Sequence, residues 1–128
     1  MTRPYVEQEV SNLWSAGENV VEVRFTADTT KIWHDSPLIR RLADDLLLLA
    51  DDPECVHAII NLAGLSFVSV QVTNSFEALH DTLRARSGRL ILCNLPPAFR
   101  HVLRLSGRDK DFEITDTVDE AYALLLRD

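Results

Sequence analysis

The chain has 128 residues, 46% of them apolar and 26% charged, and a formal net charge of −7. That length fits one domain, which buries roughly two thirds of its unfolded surface and needs no disulfides to fold. The acidic balance argues against non-specific binding to nucleic acid or an anionic membrane, since both need clustered cations.

Taken in chain order, Tyr5–Leu13 predicts a strand with Val6 and Val10 on one side. A turn signal follows at Ala16-Gly17-Glu18-Asn19. Val20–Phe25 then alternates, with Val21, Val23 and Phe25 on one face, so an antiparallel hairpin is expected. Ser36 and Pro37 suit the cap and first turn of a helix carrying Leu38, Leu42, Leu46 and Leu49. Pro53 stops it. The nearly continuous apolar run Val56–Leu62 predicts a central strand buried on both faces.

Val72, Phe76, Leu79 and Leu83 recur at helical spacing, and Ser87-Gly88 ends that helix, with Gly88 suited to a left-handed C′ position. Leu90–Cys93 predicts a second buried strand. Pro97 opens a helix expected to turn Phe99, Val102 and Leu103 inward, and Gly107 ends it. Phe112 and Ile114 mark a short edge strand. Thr117 and Glu120 form a capping box for a last helix through Leu126.

Strands and helices alternating at this spacing predict an α/β domain, a mixed sheet flanked by about four helices, with right-handed crossovers. Ile59, Ile60, Leu90, Leu92, Val72, Phe76 and Leu79 are expected to share one core.

Order and spacing from Asn61 to Gly107 are specific. A strand ends at Asn61, a short loop holds Ser66, Phe67 and Ser69, and a helix follows directly. Gly88 then precedes the next strand, Pro97 the next helix, and Ser106-Gly107 closes that helix. This arrangement resembles the STAS domain (sulphate transporter and anti-sigma factor antagonist), over about residues 5–127 and hence essentially the single domain 1–128.

In regulatory members of that family the loop reads roughly Phe-x-Asp-Ser-Ser-Gly, and its first Ser accepts a phosphate. Here Phe67 is kept, Ser69 replaces the Asp, Val70 replaces the phosphoacceptor, and Val72 replaces the Gly. Valine has no hydroxyl, so no phosphoacceptor exists at the family position. The resemblance implies a surface for an anti-sigma factor or another kinase-like regulatory protein at Ser66, Ser69, Val70, Gln71, Val72, Thr73, Asn74 and Glu77. The function expected is a non-enzymatic interaction module of bacterial regulation without the phosphoserine switch. The alternative is a module sensing a small anionic or lipidic molecule near Val70. Ser69 is expected to cap its helix, although a displaced phosphosite there, or at Thr73, is the competing reading.

Other chemistry is sparse. His34-Asp35-Ser36 offers adjacent residues, not a spatial triad. Cys55 and His57 could sit on one strand face but lack the further ligands that zinc needs, and His80-Asp81 is expected on a helix exterior. Cys55 and Cys93 read as buried thiols, and Arg84, Arg86 and Arg89 as cations at a helix end. Trp14 and Trp33 are expected to pack near the hairpin. No catalytic residues, cofactor or metal are expected. The N-terminus has no secretory apolar region, and the run near Leu46–Ala50 is far short of the ~20 residues of a membrane span. A cytoplasmic protein is expected.

Overall fold

Alternating apolar residues build a five-stranded sheet. The computed structural model describes residues 6–12, 19–25, 44, 47–48, 51, 56–63, 68 and 70–126. Its strands are β1 (Val6–Asn12), β2 (Asn19–Phe25), β3 (His57–Asn61), β4 (Leu90–Cys93) and β5 (Glu113–Thr115), paired in that order. β1 and β2 are antiparallel, with Val6 opposite Phe25 and Asn12 opposite Asn19. The pairings β2–β3, β3–β4 and β4–β5 are all parallel. The mixed sheet with an initial hairpin is therefore present.

Three α-helices are described: α1 (Val70–Ala85), α2 (Pro97–Ser106) and α3 (Val118–Leu126), with a 3₁₀ turn at Arg108–Lys110. Of the helix expected from Ser36, the described residues Asp44, Leu47, Leu48 and Asp51 are helical and exposed. Its cap, its inward leucines and its Pro53 stop lie outside the described residues, as do Trp14, Trp33, His34 and Cys55.

The two faces of the sheet bury different partners. Val21, Val23, Ala58, Ile60, Leu90 and Leu92 pack against Val72, Phe76, Leu79 and Leu83 of α1 and Phe99 and Leu103 of α2. Val20, Ile59, Ile91 and Cys93 point to the other face, against Ala121 and Leu125 of α3. Ile59 thus leaves the core expected for it, because successive strand residues point to opposite faces. α1 and α2 lie on one face, as right-handed crossovers require when the strand order advances in one direction.

Helix ends follow local chemistry. Pro97 takes the first turn of α2, where no N–H is needed, and Gly107 closes it with φ 77° while its N–H donates to the Arg104 carbonyl at 3.2 Å. Val102, expected inward, is 57% exposed, because Phe99 and Leu103 already fill the narrow buried stripe of this helix. At α3, Glu120 N–H donates to Thr117 Oγ1 at 3.1 Å. The Glu120 carboxylate accepts from the N–H of Asp116 at 3.2 Å, one residue earlier than in a capping box.

Gly88 plays a different part from the one expected. The positive φ, 61°, belongs to Ser87. A Cβ on Gly88 would stand 1.7 Å from the Val56 carbonyl oxygen. Glycine is needed there because the chain entering β4 passes against the chain entering β3.

Candidate functional site

The candidate site forms where β3 releases the chain. Asn61 ends that strand, and its Oδ1 accepts from Asn94 Nδ2 at 2.9 Å and from the Ala63 N–H at 3.0 Å. Asn94 follows β4 with φ 55°, a left-handed conformation that asparagine tolerates better than most residues. The Leu62 N–H donates to the Cys93 carbonyl at 3.0 Å. A side-chain oxygen at position 61 thus braces both strand ends below the loop.

Val70 is the first residue of α1 and 70% exposed. Asn74 is exposed and Glu77 half-buried on the same helix. Val72 and Thr73 depart from the predicted surface: they are only 1% and 5% exposed. The helical period turns Val72 inward with Phe76, and Thr73 lines a groove together with Phe99 and Leu103 of α2. Ser66 and Ser69 lie outside the described residues, as does the side chain of Gln71.

Arg108 was not legible as a site residue. Gly107 turns the chain back toward α1, and Arg108 Nε then reaches Glu77 Oε1 at 3.1 Å, while Nη2 donates to Asn74 Oδ1 at 3.3 Å. Beside this clasp lies a groove of about 360 Å³, lined by Val68, Val70, Thr73, Phe99, Val102 and Arg108, among others. Its walls are mainly aliphatic and aromatic. The Arg108 charge stands against the Glu77 carboxylate, so the groove suits an apolar contact better than an anion.

Other polar groups are committed elsewhere. Arg89 leaves the predicted cluster: its Nε donates to Glu113 Oε2 at 2.9 Å, its Nη2 binds Glu113 Oε1, and its Nη1 donates to the Leu124 carbonyl at 3.1 Å. This ties β4, β5 and α3 together. His57 Nδ1 accepts from the Arg89 N–H at 3.0 Å, so this buried ring organises backbone. His80 is half-buried rather than exterior, with its ring 5.8 Å from that of Phe112. Its Nδ1 has no hydrogen-bond partner among the described residues. Cys93 is fully buried, and its thiol is pushed up to about 12, first by burial and then by the nearby Glu22 charge. Glu22 itself is 6% exposed and meets Arg24 Nη1 and the Tyr122 hydroxyl, each at 3.3 Å. Among the described residues no group of three or more His, Cys, Asp or Glu could hold a metal ion, and no helix is long and apolar enough to cross a membrane.

The fold has clear relatives. The STAS domain family model matches residues 2–121. The chain belongs to the STAS domain family. Similar solved structures include a STAS domain protein from Planctomyces limnophilus, with TM-score 0.69 and 18% identity over 89% of this chain and 93% of that one. The unphosphorylated anti-sigma factor antagonist SpoIIAA gives TM-score 0.64 and 18% identity over 95% and 97% of the two chains. An anti-sigma factor antagonist from Mycobacterium paratuberculosis gives TM-score 0.59 and 22% identity over 99% and 98%. At these identities the likeness establishes the STAS fold. No curated protein sequence matches the chain significantly.

Proposed function

We propose that this STAS domain is a non-enzymatic regulatory module that binds a partner protein through the start of α1 and works without a phosphoserine switch. The observation that supports it most is Val70. It stands at the first position of α1, 70% exposed, on the rim of an apolar groove, where regulatory members carry a phosphoacceptor serine. A valine there provides dry contact and no acceptor oxygen. Ser66, Ser69, Val70, Gln71, Asn74 and Glu77 make the proposed partner surface, with Arg108 holding Asn74 and Glu77 in place. Val72 and Thr73 support that surface from beneath.

The partner proposed is an anti-sigma factor or another kinase-like regulatory protein, in the bacterial cytoplasm. One of the structural relatives is known in both unphosphorylated and phosphorylated forms, which is what makes the residue at this position informative. The test restores the family residues. Val70→Ser with Ser69→Asp is expected to be phosphorylated on the loop by an anti-sigma kinase of the source organism, while the parent chain takes up no phosphate. Peptide mass spectrometry reads both. Phosphate on Ser69 or Thr73 of the parent overturns the lost switch, and absence of any complex with such kinases overturns the partner class.

A second reading has one observation in its favour. A groove of about 360 Å³ with apolar walls could take a small lipidic molecule, and native mass spectrometry of the purified protein distinguishes that from a protein contact.

A further inference from the structure

His80 stands on α1 one turn past Glu77, half-buried, with its ring 5.8 Å from that of Phe112 and tilted by 53°. Phe112 is buried and directly precedes β5, and the 3₁₀ turn Arg108–Lys110 leads to it. The Nδ1 atom of His80 is buried and has no hydrogen-bond partner among the described residues. A pocket of about 340 Å³ opens beside the ring. Glu77, Asp81 and Arg84 line it from α1, and Lys110 and Asp111 line it from the chain that leads to β5.

This placement suits one protonation state. A neutral imidazole has a single N–H, and on Nδ1 it would be buried without an acceptor, so the neutral ring carries it on Nε2. An imidazolium has an N–H on both nitrogens, and the buried one would go unpaired. Acceptors stand close by. The carboxylates of Glu77, Asp81 and Asp111 line the pocket, against the cations of Arg84 and Lys110. A ring that turns into the pocket gains a carboxylate and gives up Phe112. Glu77 lies three residues before His80, on the same side of the helix.

We propose that His80 is a proton-sensitive latch on the chain segment that carries Arg108. Neutral, its ring stays packed on Phe112 and keeps the Arg108–Phe112 segment against α1. There Arg108 reaches Glu77 at 3.1 Å and Asn74 at 3.3 Å. Protonated, the ring leaves Phe112 for the carboxylates, and for Glu77 before the others. That carboxylate is the one Arg108 holds, so imidazolium and guanidinium compete for it and the clasp loosens. Arg108 also lines the groove beside Val70, so mild acid remodels one wall of the α1 surface. Histidine ordinarily titrates between about pH 5 and 8, which sets the range of the response. The effect on a partner rests on the function proposed for that surface, whereas the latch is a property of the chain alone.

Nuclear magnetic resonance of the full chain, followed from about pH 8 down to about pH 5, tests the latch. At the upper end the His80 ring nitrogens are expected to report the Nε2–H form, with a nuclear Overhauser contact to Phe112. As His80 titrates, that contact is expected to be lost. The Arg108 Nε–H, the Asn74 side-chain amide and the backbone amides of 108–112 are expected to shift with the same midpoint as the His80 ring. His80→Gln keeps a polar side chain that does not titrate and is expected to flatten those curves. His101→Gln, at an exposed position on α2, is expected to leave them unchanged. An Nδ1–H form at the upper end, a His80 ring that does not titrate over the range, or a Phe112 contact kept throughout overturns the latch. Unaltered curves in His80→Gln overturn it too, and if that variant fails to fold, the midpoints in the parent chain give the answer. Partner binding at α1 is measured separately, so a failed latch leaves that reading standing and a missing partner leaves the latch standing.

Discussion

Replacing Gly88 with alanine separates two reasons for a glycine. Had Gly88 been a left-handed helix terminator, the change would cost about 1 kcal/mol. Its actual constraint is space. The new Cβ would lie 1.7 Å from the Val56 carbonyl oxygen and 2.8 Å from its carbon, and real Cβ atoms essentially never come within 3.0 Å, so the backbones must part by about 1.3 Å. Neither side yields easily. The Arg89 N–H donates to His57 Nδ1 at 3.0 Å, and the Ala58 N–H donates to the Arg89 carbonyl at 2.9 Å. A displacement of that size breaks both, each worth about 1 kcal/mol, and overpacking adds about 1–3 kcal/mol. Gly88→Ala is therefore expected to cost about 3–5 kcal/mol, while Ser87→Gly, which relieves a φ of 61°, is expected to be neutral or stabilising by up to about 1 kcal/mol. Urea unfolding followed by circular dichroism measures both. A loss below about 1 kcal/mol for Gly88→Ala, or a clear loss for Ser87→Gly, would refute the close-approach argument.

Phe76 is fully buried at the centre of the α1 face, so Phe76→Ala is expected to cost about 3–5 kcal/mol, and an unchanged denaturation midpoint would contradict its placement. Cys93 is expected to resist thiol reagents in the native state and react only on unfolding, as a time course with a chromogenic disulfide reads out. Its folded value, raised from 9.0 to about 12, means the unfolded chain loses this proton first, so stability holds below about pH 9 and falls as pH rises toward 12. The slope is at most about 1.4 kcal/mol per pH unit, and a rise in stability over that range would contradict the burial. Gln71→Arg with Glu77→Arg is expected to weaken binding of a kinase-like partner in a titration. Glu77→Arg also sets two cations face to face at Arg108, and because that pair is a third exposed, the loss of stability should stay below about 1 kcal/mol. Equal affinity of the double variant would move the interface away from α1.

The sequence determined what depends on period and local chemistry. Alternation in Val20–Phe25, the apolar run at Val56–Leu62 and the spacing of Val72, Phe76, Leu79 and Leu83 identified β2, β3 and α1. Capping by Thr117 and termination by Gly107 were readable because they involve atoms a few residues apart. Val70 at a helix start was readable as well. Tertiary structure decided everything set by two distant segments meeting. Ile59 and Ile60 look alike in sequence, but α3 lies against one and α1 against the other. Val102 fits the helical period as well as Leu103 does, yet α2 buries too narrow a stripe to include it. Gly88 faces Val56, Arg89 reaches Glu113, and Arg108 clasps Glu77, across gaps of 24 to 32 residues or so in the chain. A side chain's fate at such places depends on which backbone passes within a few ångströms, and only the packed fold fixes that.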